Sequence, residues 1–260
     1  MNKNTVRYGV VAAIETRYPV SQTKEISVKL CRFIFLISLF VPLGPLNAQH
    51  PIVLAKLNEW NAAAPVLSQE IIKIEIKKTA KEIYGEQVAC SNSDITIDAV
   101  EPATADRYAF NAIAHRMLKN AWFVTARLPG CDLAPVRYMV MQNNDNSIET
   151  TRVNRGMSYA WDSLIGDTLP AAQLSASVAL EREGIKCGSN EKATLGVTRI
   201  AAKEPSLGNS TFGIRYSGSW TEVWPIEVCK QTVEITIQFK ADGDGGAFTH
   251  IPGNKARVLP

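Results

Sequence analysis

The chain has 260 residues, 46% of them hydrophobic and 20% charged, a globular composition that excludes disorder along its whole length. Residues 1–48 hold six of the 28 Lys and Arg residues and two of the 25 Asp and Glu residues, so the remaining chain carries a formal net charge of −1 rather than the overall +3. A near-neutral chain lacks the basic surface that binding to nucleic acid or to an anionic membrane requires.

The N-terminal segment predicts a signal peptide. Lys29 and Arg32 precede an apolar run over residues 33–41, and Ala48 offers a small residue for cleavage. The run is shorter than the roughly 20 residues that a membrane-spanning helix needs. We therefore expect residues 1–48 to be removed and the rest to be exported to a bacterial periplasm or secreted.

Residues 1–27 are not typical of a signal peptide. We interpret them as an artefact of gene prediction, because a start at Val28 gives a leader of ordinary form. The alternative is a leader with a long N-terminal region. Cys31 lies before the apolar run, which argues against a lipoprotein signal.

Residues 49–63 form an N-terminal segment. After it, the apolar residues of 68–84 are spaced in a way that fits either a strand or a helix. Ile72, Ile74 and Ile76 lie at strand spacing, whereas Ile72, Ile76 and Ala80 lie at helical spacing. The corresponding segment of the second half, described below, favours a helix here.

The rest of the first half predicts a second helix over residues 103–119 and then a β-hairpin. Alternate residues of its first strand share one face, which we expect to be buried: Trp122, Val124, Ala126 and Leu128. A second strand over residues 136–140 runs into the polar turn at residues 143–147.

The second half starts with a short predicted helix over residues 157–165 that joins the halves. The Ala-rich residues 170–183 predict a further helix, with Pro170 at its start and Gly184 after its end. Residues 207–210 predict a loop, where the first half has its second helix.

A second hairpin follows in this half. The buried face expected on its first strand consists of Trp220, Glu222, Trp224 and Ile226. The next strand covers residues 233–239 and ends in the Asp- and Gly-rich turn at residues 242–246.

These elements recur in the same order, which predicts a tandem duplication. Two cysteines lie 41 residues apart in the first half and 42 apart in the second, and a tryptophan lies nine residues before each second cysteine. The matched residues are Cys90 with Cys187, Cys131 with Cys229, and Trp122 with Trp220. We assign residues 64–153 to module 1 and residues 154–260 to module 2.

The duplication also predicts how the cysteines pair. Four cysteines in an exported chain indicate two disulfides. If each module folds as a unit, the pairs are Cys90 with Cys131 and Cys187 with Cys229. The expected fold class is therefore α+β, with two tandem copies of a small module, each a helix on an antiparallel sheet with one disulfide.

The candidate binding residues are Trp220, Glu222 and Trp224. Glu222 replaces an apolar residue of module 1, so it is either a general acid in an apolar pocket or an edge-strand residue that reaches solvent or pairs with Arg215. The two tryptophans either pack in the core or form a stacking surface for a sugar or peptide.

Other motifs favour structural interpretations. Residues 242–246 resemble a calcium loop, but Gly253 stands where its closing glutamate belongs, which favours a hairpin turn. His50, His115 and His250 lack zinc-ligand spacing. The chain has no nucleotide, cofactor or nucleophile motif.

The sequence therefore predicts an exported, non-catalytic binding or assembly protein without a cofactor. Its partner, an unknown protein or envelope component, is not nucleic acid. The alternative is a secreted hydrolase that uses Glu222 with Asp162 or Asp167 in a cleft between the modules.

Overall fold

The computed structural model describes residues 51–84, 94–130, 132–188 and 191–260, which form four helices and ten strands. The helices are α1 (Pro51–Ala63), α2 (Gln69–Tyr84), α3 (Arg107–Ala114) and α4 (Asp162–Arg182). The strands are β1 (Thr96–Pro102), β2 (Leu118–Leu128), β3 (Asp132–Asn143), β4 (Ile148–Gly156), β5 (Thr194–Leu195), β6 (Val197–Lys203), β7 (Ser219–Val228), β8 (Gln231–Ala241), β9 (Ala247–His250) and β10 (Arg257–Val258). The predicted leader, residues 1–48, lies outside the described residues.

The strands form one sheet in the order β1-β2-β3-β4-β6-β7-β8-β10, with β5 paired to β7 and β9 paired to β8. Neighbouring strands are antiparallel except β4 and β6, which pair in parallel where Arg155 faces Val197 and Gly156 faces Thr198. The α+β class, with helices packed on a mostly antiparallel sheet, is thus confirmed. No helix in the described ranges is both long and apolar enough to cross a membrane.

Helix α2 packs on the first half of the sheet through residues at helical spacing. Ile72, Ile76 and Ala80 are buried, whereas Ile74 is 54% exposed, so the helical interpretation of this segment is confirmed. They share a core with the predicted face of β2 and with β3, namely Trp122, Val124, Ala126, Leu128, Val136, Tyr138 and Val140.

Helix α4 packs on the second half of the sheet and replaces the two helices that the sequence predicts there. It is continuous from Asp162, with Pro170 in its interior rather than at its start. Proline removes one backbone hydrogen bond, to the carbonyl four residues earlier. Apolar residues on both sides of it, including Ile165 and Ala172, are buried in one core and offset that loss.

The end of α4 agrees with the sequence prediction. Gly184 has φ of 74°, a left-handed conformation that glycine adopts without a steric penalty. The Gly184 N–H donates to the Glu181 carbonyl at 3.0 Å, and the Ile185 N–H donates to the Leu180 carbonyl at 2.9 Å. These two bonds form the Schellman motif that ends many helices.

Helix α3 is shorter than the predicted helix over residues 103–119. Asp106 caps its first turn by accepting from the Tyr108 N–H at 2.9 Å, and Arg116 follows its end at φ of 57°. The chain then enters β2 at Leu118, because its apolar residues are buried in the sheet. Residues 207–210 form the predicted loop.

The predicted disulfide between Cys187 and Cys229 is present. Cys187, after α4, and Cys229, in the β7–β8 turn, are bonded with their Cα atoms 5.6 Å apart. Cys90 and Cys131 lie outside the described residues. The polar clusters at residues 143–147 and 242–246 close the β3–β4 and β8–β9 hairpins.

Candidate functional site

Glu222 lies on β7, an internal strand of the sheet, with Ile200 of β6 and Ile237 of β8 beside it. Its side chain is 0% exposed. The interpretation of Glu222 as an edge-strand residue that reaches solvent is therefore wrong. Its position is set by the alternation of β7, which places it on the same buried face as Trp220 and Trp224.

The Glu222 carboxylate is saturated with hydrogen bonds. Oε1 accepts from the N–H groups of Tyr159 at 2.7 Å and Ala160 at 3.2 Å, and from the Trp220 indole at 2.9 Å. Oε2 accepts from the Ser158 hydroxyl at 2.8 Å and the Trp224 indole at 2.7 Å. Five donors compensate for the burial of the charge and leave Glu222 no free lone pair toward a substrate. Its evident role is to hold residues 158–160 against β7.

The two tryptophans beside Glu222 belong to the core. Trp220 is 2% exposed and stacks on Phe239 at 5.1 Å between ring centroids, and Trp224 is 0% exposed. Their N–H groups point at the carboxylate. The rings therefore offer little free surface for stacking on a sugar or peptide.

The two aspartates proposed as partners of Glu222 lie in other surroundings. Asp167 is 53% exposed and pairs with Arg107 at 2.8 Å on the surface. Asp162 begins α4, and its pKa is raised to about 6 by burial and by the nearby charge of Asp106, against the opposing effect of Arg137.

Asp106 links the starts of two helices. One oxygen caps α3, and the other accepts from the Ser163 N–H in the first turn of α4 at 2.8 Å. Burial raises the pKa of Asp106, and the hydrogen bonds from Ser163 and Tyr108 oppose that shift. Asp106 therefore joins the start of α3 to the start of α4.

A cleft of about 280 Å³ lies next to the segment that Glu222 holds. Its floor is the face of β1, β2 and β3 opposite α2, and its walls are residues 156–159 and the loop before β7. The polar residues that matter most in its lining are Glu101, Arg137, Ser158, Tyr159, Ser210 and Arg215.

Two arginines dominate the cleft. Arg137 of β3 is 11% exposed, stacks over Phe123 at 4.1 Å, and donates to the Ala160 carbonyl at 3.1 Å. Arg215 stacks over the Tyr159 ring at 4.4 Å and donates to the Gly208 carbonyl. The stacking and the carbonyl bonds fix both guanidinium planes in the cleft wall.

The two charges are held close together at a cost. Burial lowers the pKa of Arg137, and the nearby charge of Arg215 lowers it further. Burial also lowers the pKa of Arg215, while Tyr159, Glu101 and Glu222 oppose that shift. Arginine nevertheless stays protonated, so the cleft holds two partly desolvated cations.

Sequence reasoning did not find this cleft. The sequence suggested Arg215 only as an ion-pair partner of Glu222, and it suggested no role for Arg137. The available signal was one cation inside the apolar strand of residues 136–140, on the face opposite Val136 and Tyr138.

Two other candidate features have local structural roles. The Asp242 carboxylate accepts from the N–H groups of Asp244 at 3.1 Å and Gly246 at 2.9 Å within its own turn. His115 lies exposed at the end of α3, and His250 lies exposed on β9. Among the residues that the structure describes, no three His, Cys, Asp or Glu side chains are grouped to hold a metal ion.

Comparisons of this chain with family models, with curated proteins and with solved structures gave no match.

Proposed function

We propose that this chain is an exported, non-catalytic binding protein made of two copies of one α+β module, and that its ligand enters the cleft between them. The observation that carries the proposal is the pair of stacked, partly buried arginines in an open cleft. Glu222, the central carboxylate of the catalytic hypothesis, holds the wall of this cleft and already accepts five hydrogen bonds.

The topology supports the duplication. Helix α2 is followed by the antiparallel strands β1 to β4, and α4 is followed, apart from the short β5, by the antiparallel strands β6 to β9. In each half the central hairpin aligns a buried tryptophan with an apolar residue of the next strand: Trp122 with Val140, and Trp220 with Phe239. The lining of the cleft comes from both copies: β1, β2 and β3 of the first, and residues 156–159 with Ser210, Gly213 and Arg215 of the second.

The surroundings of Glu222 argue against the alternative hydrolase. A general acid must reach the atom that it protonates, usually within about 3 Å. Glu222 accepts from two indoles and three other donors of its own chain instead. The pKa of Asp162 is raised by burial and by its neighbour Asp106, not by Glu222. A binding role needs no proton transfer and fits this arrangement.

The disulfide Cys187–Cys229 is compatible with export, because such bonds persist in oxidising compartments. Together with the leader predicted over residues 1–48, it supports a location in the periplasm or outside the cell. The partner is then an envelope or extracellular component.

Site-specific photo-cross-linking in the native envelope tests the binding role. Met157 lines the cleft and is 53% exposed, and Ile74, on α2, is 54% exposed, so the two positions offer a probe equal access to solvent. We expect a saturable adduct from a photoreactive residue at position 157 and none from position 74. Equal labelling at both positions would contradict the proposal, as would a hydrolytic activity lost in a folded E222Q variant.

A further inference from the structure

The donors of the cleft arginines outnumber the acceptors around them. Each guanidinium has five N–H groups. Among the described residues, Arg215 donates to the Gly208 carbonyl, and Arg137 donates to the Ala160 carbonyl. The remaining N–H groups of both side chains have no hydrogen-bond acceptor within the described ranges of the chain and can donate to a ligand or to water.

The nearby carboxylates do not fill this deficit. Asp98 pairs with Arg127 at 2.8 Å on the outer part of the cleft. Glu101 is 46% exposed, and its carboxylate lies 3.9 Å from the Arg137 Nη2, which is an ion pair at its outer limit rather than a hydrogen bond. Glu101 therefore offsets part of the positive charge of Arg137 from the edge of the cleft without forming a hydrogen bond to it.

Two features shape the inner end of the cleft. The Ser210 hydroxyl is buried and has no hydrogen-bond partner among the described residues. Gly213, at φ of 95°, brings the loop against β1 and β2, since a Cβ there would lie 2.7 Å from the Phe123 ring. The loop therefore holds both Ser210 and Arg215 close to the sheet.

We propose, on the basis of the binding function above, that the cleft binds the carboxylate of a small organic acid between Arg137 and Arg215, with Glu101 as an internal competitor. Planar guanidinium groups match a planar carboxylate through paired hydrogen bonds. A phosphate dianion is disfavoured because Glu101 and the buried Glu222 already place negative charge near Arg215. The volume of about 280 Å³ suits a small molecule.

The test uses benzoate, its neutral isostere benzamide and inorganic phosphate as probes of the exported chain in calorimetric titration. We expect saturable binding of benzoate and at least about tenfold weaker binding of the other two, since the charge and planar shape supply the recognition. R215Q should weaken benzoate binding by about tenfold or more.

The matched control is R199Q, because Arg199 on β6 is 51% exposed and pairs with Glu234 outside the cleft. E101Q should bind benzoate several-fold more tightly, because it removes the internal competitor. A purely structural role of Glu101 would not raise affinity, so this variant keeps the proposal testable even if R215Q fails to fold.

Equal binding of benzoate and benzamide, tighter binding of phosphate, or equal effects of R215Q and R199Q would each overturn the carboxylate assignment. If benzoate does not bind but the adduct at position 157 still forms, the binding function is retained and only the carboxylate assignment is wrong. If both fail, the cleft is not the binding site.

Discussion

At the scale of single residues, the least predictable feature is the burial of a charge. Glu222 alternates with two tryptophans, and that pattern alone fits a pocket acid, a core residue or an edge residue. Its surroundings depend on Ser158, Tyr159 and Ala160, more than 60 residues earlier in the chain. No local pattern indicates that these donors meet the carboxylate, so periodicity predicted its face but not its partners.

Replacing Glu222 with glutamine should destabilise the fold strongly. Each oxygen of Glu222 accepts at least two hydrogen bonds. In either orientation of a glutamine amide, its NH2 group would therefore face N–H or O–H donors and leave them without an acceptor. We expect E222Q to lower the free energy of unfolding by about 3 kcal/mol. Urea denaturation followed by tryptophan fluorescence measures this loss. The control is E227Q at an exposed position of the same strand, and an equal loss in both variants would contradict the saturated-carboxylate account.

Asp162 should make stability depend on pH. Its folded-state pKa of about 6 exceeds the ordinary value of 3.8, so between these values the folded protein binds more protons than the unfolded chain. The free energy of unfolding therefore falls as pH rises through this window, and the contribution of the protonated form is lost above it. The cause is burial and the neighbouring Asp106.

The variant D162N should remove this dependence. We expect it to raise the free energy of unfolding by about 1 kcal/mol near neutral pH, after allowance for solvent screening, and by little near pH 3.5. The control is D167N, at a position 53% exposed on the same helix. Urea denaturation at several pH values measures both. A gain from D162N that is the same at all pH values would exclude this explanation.

At the scale of elements, strand faces were predicted well, whereas the limits of α3 and the start of α4 were not. All eight residues expected on the buried faces of β2 and β7 are buried, because side-chain alternation is a local property of extended backbone. The starts of α3 and α4 depend instead on Asp106, which caps one helix and accepts from the first turn of the other. The predicted helix start at Pro170 was wrong, because proline favours the first turn of a helix but is tolerated inside this well-packed one.

Helix α2 allows a direct test of the period that governs packing. Ile76 is fully buried in the core under α2, whereas Ile74, two residues earlier, is 54% exposed. We expect I76A to lower the free energy of unfolding by about 3 kcal/mol and I74A by less than about 0.5 kcal/mol. Chemical denaturation of both variants measures the difference. Similar losses would indicate strand-like burial of both side chains and contradict the helix.

At the scale of the whole molecule, the two halves are joined by more than their linking strand pair. β4 and β6 pair over only two residues each. The core that α4 covers, however, includes Phe123 and Met139 from the first half together with Trp161 and Ile214 from the second half. The sequence predicted one buried face of β2, but Phe123 on the opposite face is buried as well and forms part of this shared core.

This shared packing should make the described fold unfold in one step. If the modules were independent, I76A would weaken only the first half, since Ile76 lies in the core under α2. Phe123 of β2 packs in the core that α4 covers, so unfolding of the first half also exposes apolar surface of the second half. Native-state hydrogen exchange of the β3 and β8 amides should therefore give equal opening free energies that I76A lowers by the same amount. Loss of protection in β3 alone would instead show two modules that fold separately and merely touch, in which case the arginine cleft would open whenever either module did.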